Sequence, residues 1–366
     1  MNIGFFTDTY FPQVNGVTFT LKAWKERLEK RGHQVYIYYP AGEYKPGERE
    51  TPFKSIEFKA YRGYRIAMPL RIAKHTGHLD IIHEHGLYGM AISGWLAAKL
   101  NGKPKMLTFH TPGDEYVSYL TGNRPLGRIL AGTYLLWERI LLNSFDHVTT
   151  ASPVVKERLA ANGIKDAEVL SNGIELELFH RTDTKEFRRR HDIKSKRTIG
   201  FCGRLGYEKH LEDLINAADS FDGTVLIAGS GPAEEHYRKL AEGKGNVRFL
   251  GFISHDTLRE FYSALDVFIF PSFAETQGLV ALEAMACGTP VVGVPVLALK
   301  TTIRDGDTGY HYTPGNTEEL LKRIDDCYRN TDKLRKNALK EAEANSMEKT
   351  VNRLEEIYDG LNKNRR

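Results

Sequence analysis

The chain has 366 residues, 41% hydrophobic and 27% charged, which is ordinary for a globular enzyme and excludes a disordered chain. That length suits two domains of roughly 180 residues each. The net charge of +4 sits in the first half: residues 1–180 carry 22 Lys+Arg against 18 Asp+Glu, whereas residues 181–366 carry 29 of each.

Cys202, Cys287 and Cys327 are sparse and far apart, which excludes a disulfide framework and suits a reducing cytosol. Met1 to Phe6 reads directly as a strand, so no leader is expected. The longest nearly uncharged run, Gly278 to Leu299, contains Glu283, Pro290 and Pro295, so no membrane span is expected. A cytoplasmic protein is the expectation.

In chain order, residues 2–6 and 35–39 read as strands around a helix at about 17–31, closed by Gly32. This βαβ opening and the alternation after it predict doubly wound α/β domains. The first turn, Asp8 to Val17, leads into that helix, and Gly16 lets the backbone come close to a ligand phosphate at the helix start. Asn15 before it tolerates a left-handed φ. Between Lys45 and Lys74 lie eight basic and three acidic residues, interleaved with Tyr44, Phe53, Phe58, Tyr61, Tyr64 and Met68. This stretch reads either as a solvated loop region or as a contact for anionic lipid head groups. No nucleic-acid reader motif accompanies it, so nucleic acid is not an expected partner.

Leu79 to Gly86 is a strand running into a turn. His83 and His85 have a spacing found in metal sites, but no third ligand is near in sequence, and zinc is not expected. Pro104 to Pro112 is another strand, ending in His110 at the carboxyl edge where α/β sheets bind ligands. Asp114, Glu115 and Tyr116 follow at the same mouth as candidates for an acceptor hydroxyl. Arg124 to Asn143 is rich in Leu, Ile, Tyr and Trp with few charges. It reads first as a core helix, with an amphipathic helix at a membrane as the alternative. Ser152-Pro153 is an N-cap followed by proline at the first helical position. The polar residues 180–197 read as a hinge.

The second half restarts with the strand Thr198–Cys202 and the turn Gly203-Arg204-Leu205-Gly206-Tyr207-Glu208-Lys209. Arg204 and Lys209 flank that turn at a strand's carboxyl end, placed to grip a diphosphate. Val225 to Pro232 is a strand and Gly-rich turn, but Glu234 stands where a dinucleotide fingerprint needs its third glycine, so NAD is not expected. The stretch PSFAETQGLVALEAMACGTPVV, residues 271–292, then places Glu275 and Glu283 seven residues apart. Thr276-Gln277-Gly278 reads as a loop, and the apolar spacing from Leu279 predicts a helix ending before Gly288 and Pro290. Its N-terminus offers N–H groups and a positive dipole end to an anion. The flanking carboxylates accept hydroxyls, a pattern that fits a nucleotide-sugar. Asp305-Gly306-Asp307 reads as a surface turn rather than a metal site.

These segments resemble the retaining family-four glycosyltransferases of GT-B fold. The resemblance rests on PSxxETxGLxxLEAMAxGxPVV, G-R-L-x-x-x-K at 203–209, the Gly16 loop, Ser171-Asn172-Gly173 and His110. It implies two Rossmann-like domains, residues 1–178 and 179–345, facing across a cleft, with a last helix from 346 returning to the first. It further implies that His110 contacts the donor sugar near the reacting carbon, and that Arg204 and Lys209 hold the leaving diphosphate. Glu275 would then take the sugar hydroxyls and Glu283 the ribose hydroxyls. Gly229 would lie near the nucleotide, backbone groups around Phe252 and Ile253 would hold the base, and Thr276, Gln277, Gly278 and Leu279 would complete the donor site. Retention of configuration is implied, with the cationic pair taking the place of a metal.

Glu275-Thr276-Gln277-Gly278 and the opening Thr7-Asp8-Thr9-Tyr10-Phe11-Pro12 are similar to diacylglycerol glucosyltransferases and digalactosyl lipid synthases. A membrane lipid acceptor, and a peripheral place on the inner face of the cell membrane, are therefore expected. A soluble sugar, sugar-phosphate or inositol acceptor, a non-hydrolysing epimerase and a non-catalytic carbohydrate- or membrane-binding module stand as alternatives.

Overall fold

Strand and helix alternate twice along the chain, and each round of alternation builds its own parallel sheet. In a computed structural model, which describes residues 1–13, 15–57, 65–67, 73–110 and 125–363, the chain divides into two units. One comprises Met1–Ser171 with Thr350–Arg366, the other Asn172–Lys349.

The first unit holds a seven-stranded sheet in the order Glu50–Phe53, Gln34–Pro40, Asn2–Phe6, Ile81–Glu84, Lys105–Phe109, His147–Thr150, Ala167–Val169. Every pairing is parallel. Ile3, Phe5, Val35, Ile37, Ile81 and Ile82 are all fully buried, because helices cover both faces of a doubly wound sheet. Asn15 caps the first helix, Gly16–Lys30, from extended backbone (φ −150°), its side chain accepting from the Thr18 N–H. The left-handed φ expected of Asn15 is therefore not used, because a short side-chain oxygen satisfies the helix start directly. The last helix, Met347–Lys363, packs on this unit. Tyr358 donates or accepts at His83 Nδ1 (2.7 Å), Glu355 bonds His33 (2.9 Å) and Arg31, and Arg353 meets Glu168 (2.6 Å).

The second unit holds a six-stranded sheet in the order Val247–Gly251, Thr224–Ala228, Thr198–Cys202, Val267–Phe270, Val291–Gly293, Gly309–His311, again all parallel. This is the 3-2-1-4-5-6 order of a dinucleotide-binding sheet, whose switch point lies between Thr198–Cys202 and Val267–Phe270. Residues 180–197, read as a hinge, instead fold within this unit: Lys185–Arg190 is helical, and Phe187 and Ile193 are buried in its core. One apolar residue per turn was enough to dock a segment that looks charged throughout.

The helix Pro125–Leu142 corrects the core reading of 124–143. Ile129 is 64% exposed, Leu136 57% and Ile140 59%, and Leu130 and Trp137 are also exposed. Its inner face instead carries Glu138, fully buried and bonded to Asn162 (3.1 Å), next to Leu141 and Leu142. The helix therefore packs one apolar end inward and leaves a second apolar face outside. Among the described residues no helix is long and apolar enough to cross a membrane.

Candidate active site

At a switch point, loops leaving the two adjacent strands diverge and leave a crevice above the carboxyl edge. In the second unit those loops are 203–210 and 271–278, the two stretches that carry Arg204, Lys209 and Glu275. The sequence could identify each loop; only the strand order makes them neighbours.

Loop 203–210 is anchored on both sides. The Gly203 and Leu205 N–H groups donate to Ala228 (3.1 Å) and Ser230 (3.0 Å). Gly229 takes φ +124°, and a Cβ there would lie 1.8 Å from the Gly203 carbonyl oxygen. Its glycine is therefore required by contact between the two turns. On the other side Tyr237 Oη donates to the Gly206 carbonyl (2.8 Å), the Phe273 N–H donates to the Glu208 carbonyl (3.1 Å), and the His210 and Phe273 rings lie 4.2 Å apart.

This clamp sets Lys209, the end of a single 3-10 turn Tyr207–Lys209, against the other loop. Lys209 Nζ lies 2.5 Å from Glu275 Oε1 and 3.2 Å from Ser272 Oγ, and Ser272 Oγ donates to the same Glu275 oxygen at 2.8 Å. Lys209 and Glu275 are each about five-sixths buried, and Ser272 is fully buried. An ammonium and a carboxylate so placed each hold the other's charge in a partly dry site. A diphosphate and sugar hydroxyls are chemically fit to replace those two halves. Arg204 is half-exposed, with Nη1 3.9 Å from Glu208. Its fork is aimed less tightly than the lysine.

The helix between the two glutamates, Leu279–Ala286, buries Ala281, Leu282, Ala284, Met285 and Ala286. Leu282 and Met285 each contribute roughly 1.5–3 kcal/mol of apolar burial, which fixes the helix under the site. Gly278 precedes it at φ +80°, where an added Cβ would meet the Leu299 side chain at 2.8 Å, and no side chain caps the helix. Uncapped first-turn N–H groups are what an anion needs. Thr276 and Leu279 are half-buried beside them.

Gln277 ties its amide oxygen to the chain. It is buried, its Oε1 accepts from the Asn172 N–H at 3.0 Å, and its carbonyl accepts from Thr302 Oγ1 at 2.7 Å. Its oxygen thus braces the loop, since a buried amide oxygen goes to the backbone group it can satisfy. Gln277→Leu should lower the second unit's stability by about 1–3 kcal/mol, read as a reduced urea midpoint. An unchanged midpoint would contradict the brace.

Glu283 lies in the second turn of its helix, half-buried, with Oε2 accepting from Tyr262 Oη at 2.7 Å. Burial pushes its carboxyl up to about 7, against the lowering effect of the Tyr262 bond and with a further rise from Glu175. Ser272 and Tyr262 were not singled out from sequence. Ser272 stands inside the quoted motif, but Tyr262 has no local signal. Phe252, just past the strand Val247–Gly251, is 69% exposed, and Ile253 is half-buried. A ring left this bare at a carboxyl edge presents a flat apolar surface to a base.

In the first unit the switch point falls between Asn2–Phe6 and Ile81–Glu84. Gly16 is the first residue of its helix. His110 is buried, its Nε2 3.1 Å from His85 Nδ1. His83 Nε2 lies 2.7 Å from Thr108 Oγ1, and burial holds His83 and His85 well below the usual histidine range, so both rings are neutral. Neutral rings tied into hydrogen bonds are structural here. No group of three or more metal-ligating residues stands together among the described residues. Asp8, which was not singled out, accepts from the N–H groups of Tyr88 (2.8 Å) and Met90 (2.9 Å) and fixes the start of the helix Gly89–Asn101. Asp114 and Tyr116 lie outside the described residues. Asp305 and Asp307 serve their turn: Asp305 accepts from the His311 N–H (2.7 Å) and Asp307 pairs with Arg304 (2.7 Å).

Two Rossmann-like units with these loops define the GT-B glycosyltransferase class. Glycosyltransferase Family 4 matches residues 14–178, and the group 1 glycosyl transferases match residues 183–345. The chain belongs to this glycosyltransferase family and is an enzyme of it. It is 34% identical over 321 residues to an alpha-monoglucosyldiacylglycerol synthase of Streptococcus pneumoniae, covering 80% of this chain and 70% of that protein. To the enzyme of the same name from Acholeplasma laidlawii it is 25% identical over 351 residues, covering 88% and 87%. Anabaena HepE, solved in complex with UDP-glucose, shares the fold, with a TM-score of 0.78 at 20% identity over 98% of this chain and 100% of that one.

Proposed function

We propose that the enzyme transfers a hexose from UDP-glucose or UDP-galactose to the hydroxyl of a membrane lipid such as diacylglycerol, with retention and without a metal ion. The observation that carries the donor reading is the Lys209–Ser272–Glu275 cluster beside the uncapped helix start at Gly278. In this reading the diphosphate draws Lys209 away from Glu275, which frees that carboxylate for sugar hydroxyls. Arg204 and Lys209 then stabilise the diphosphate as negative charge develops on it, which is where electrostatic catalysis has most effect. Glu283 holds the ribose and Phe252 and Ile253 the base, and the family resemblance gives His110 a contact to the donor sugar. The leaving phosphate oxygen takes the acceptor's proton as the acceptor attacks from the same face.

The lipid acceptor is supported by the relatives' names and by the exposed apolar face of the helix Pro125–Leu142. An apolar face of Ile129, Leu130, Leu136, Trp137 and Ile140, within the half of the chain that holds the whole positive excess, fits an anionic bilayer surface. Replacing Ile129, Leu136 and Ile140 together by serine should weaken binding to anionic vesicles by roughly tenfold per residue. Flotation with liposomes reads this, and unchanged partitioning would move the membrane contact elsewhere.

The activity is tested by nucleotide release from UDP-, GDP- and ADP-sugars in EDTA, with and without diacylglycerol in anionic vesicles. Lipid-dependent UDP release is the expected result. Release that responds only to soluble acceptors overturns the lipid reading, and dependence on added divalent ions overturns the metal-free one.

A further inference from the structure

Resting on the donor site just proposed, the geometry points to Tyr262 as a positioning residue: its hydroxyl holds Glu283 Oε2 and thereby presents Oε1 to the ribose of the bound nucleoside diphosphate. Tyr262 belongs to the helix His255–Ala264 and is fully buried in the second unit's core. Its ring is edge-on to Phe268 at 5.6 Å and to Phe179 at 6.1 Å. Its own carbonyl accepts from Thr289 Oγ1 at 2.8 Å, just past the end of the Glu283 helix. The ring is held edge-on by Phe268 and Phe179 on a backbone tied to Thr289, and its hydroxyl meets Glu283 Oε2 at 2.7 Å.

A carboxylate holding a ribose diol must accept two hydrogen bonds, so it must be ionised and its rotamer must not swing. Burial works against the first requirement. On Glu283 itself burial and Glu175 favour the protonated form and Tyr262 the ionised one, while the Cys202 thiol on the strand Thr198–Cys202 and Cys287 at the end of its own helix are pushed up in turn by the Glu283 charge. Burial keeps both thiols protonated, and Glu175 adds negative charge, so the Tyr262 hydroxyl is the stabilising contact among them for the ionised form. Without it, Glu283 binds its proton more tightly and the site competes for donor at neutral pH as an acid.

The test is UDP-glucose binding by calorimetry from about pH 6 to about pH 8.5 for the wild type, Tyr262→Phe and Glu283→Gln. The donor's diphosphate diester does not titrate in that range, so the protein's own groups set the profile. In the wild type, Kd should be flat at the alkaline end and rise roughly tenfold per pH unit below about 7, because the competent form falls by that fraction. For Tyr262→Phe the bend should move to higher pH: Kd is several-fold weaker near neutrality and converges on the wild type at the alkaline end. Glu283→Gln should bind weakly with no bend.

A Tyr262→Phe profile that superimposes on the wild type, or lies above it by a constant factor at every pH, overturns the positioning role, since lost packing does not move a bend. A Glu283→Gln enzyme with wild-type affinity and slope overturns instead the ribose assignment beneath it. No UDP-glucose binding by the wild type overturns the donor.

Discussion

Lys209→Ala is expected to lower kcat by on the order of 10²–10³-fold, with donor KM changed far less and with a measurable loss of thermal stability, because Glu275 is left partly buried without its cation. The lysine is clamped against Glu275, so its removal takes away charge that matters most when the diphosphate departs. A loss confined to kcat marks an interaction made in the transition state rather than on binding. Lys209→Arg should recover little, because the planar fork does not fit a point contact already bounded by Ser272 and Glu275. Initial rates of nucleotide release at saturating donor and acceptor decide it. Near-normal turnover would sink the assignment of the diphosphate to this turn.

The second large effect is on folding. Gly229→Ala is expected to destabilise the second unit by about 3–5 kcal/mol, combining a φ that L-residues avoid with a backbone clash. The added methyl would overlap the Gly203 carbonyl 1.8 Å away, and both partners are main chain, so neither can rotate aside. The result would be a sharply lower denaturant midpoint for that unit, together with loss of activity. A glycine needed only for the approach of a phosphate would give the opposite pattern, normal stability with weakened donor binding. The two outcomes separate a loop-packing glycine from a ligand-facing one.

Much of this arrangement is local and was readable as such. The period of Leu279, Leu282, Met285 and Ala286 defines a helix whose first residue is Leu279, and Gly278 and Gly288, both at positive φ, bound it. Ser152 and Pro153 begin their helix where cap chemistry places them. These features depend on neighbours a few residues away, and short-range sterics and hydrogen bonding decide them.

Contacts distant in sequence were not readable. Gln277 looks like a loop polar group until Asn172, 105 residues earlier, is seen to donate to it. Residues 124–143 have the composition of a core helix, yet the packing of Asn162 against Glu138 turns the carboxylate inward and leaves Ile129, Leu136 and Ile140 outside. Composition reports how apolar a helix is, and only its neighbours determine which face they cover.

By itself, then, the sequence determined the α/β alternation, the turn with Arg204 and Lys209, and the helix flanked by Glu275 and Glu283. Tertiary structure alone decided that Lys209, Ser272 and Glu275 meet and that Tyr262 holds Glu283. The physical reason is that strand order sets which loops share a carboxyl edge. That order is chosen by packing across the whole sheet rather than by any one segment.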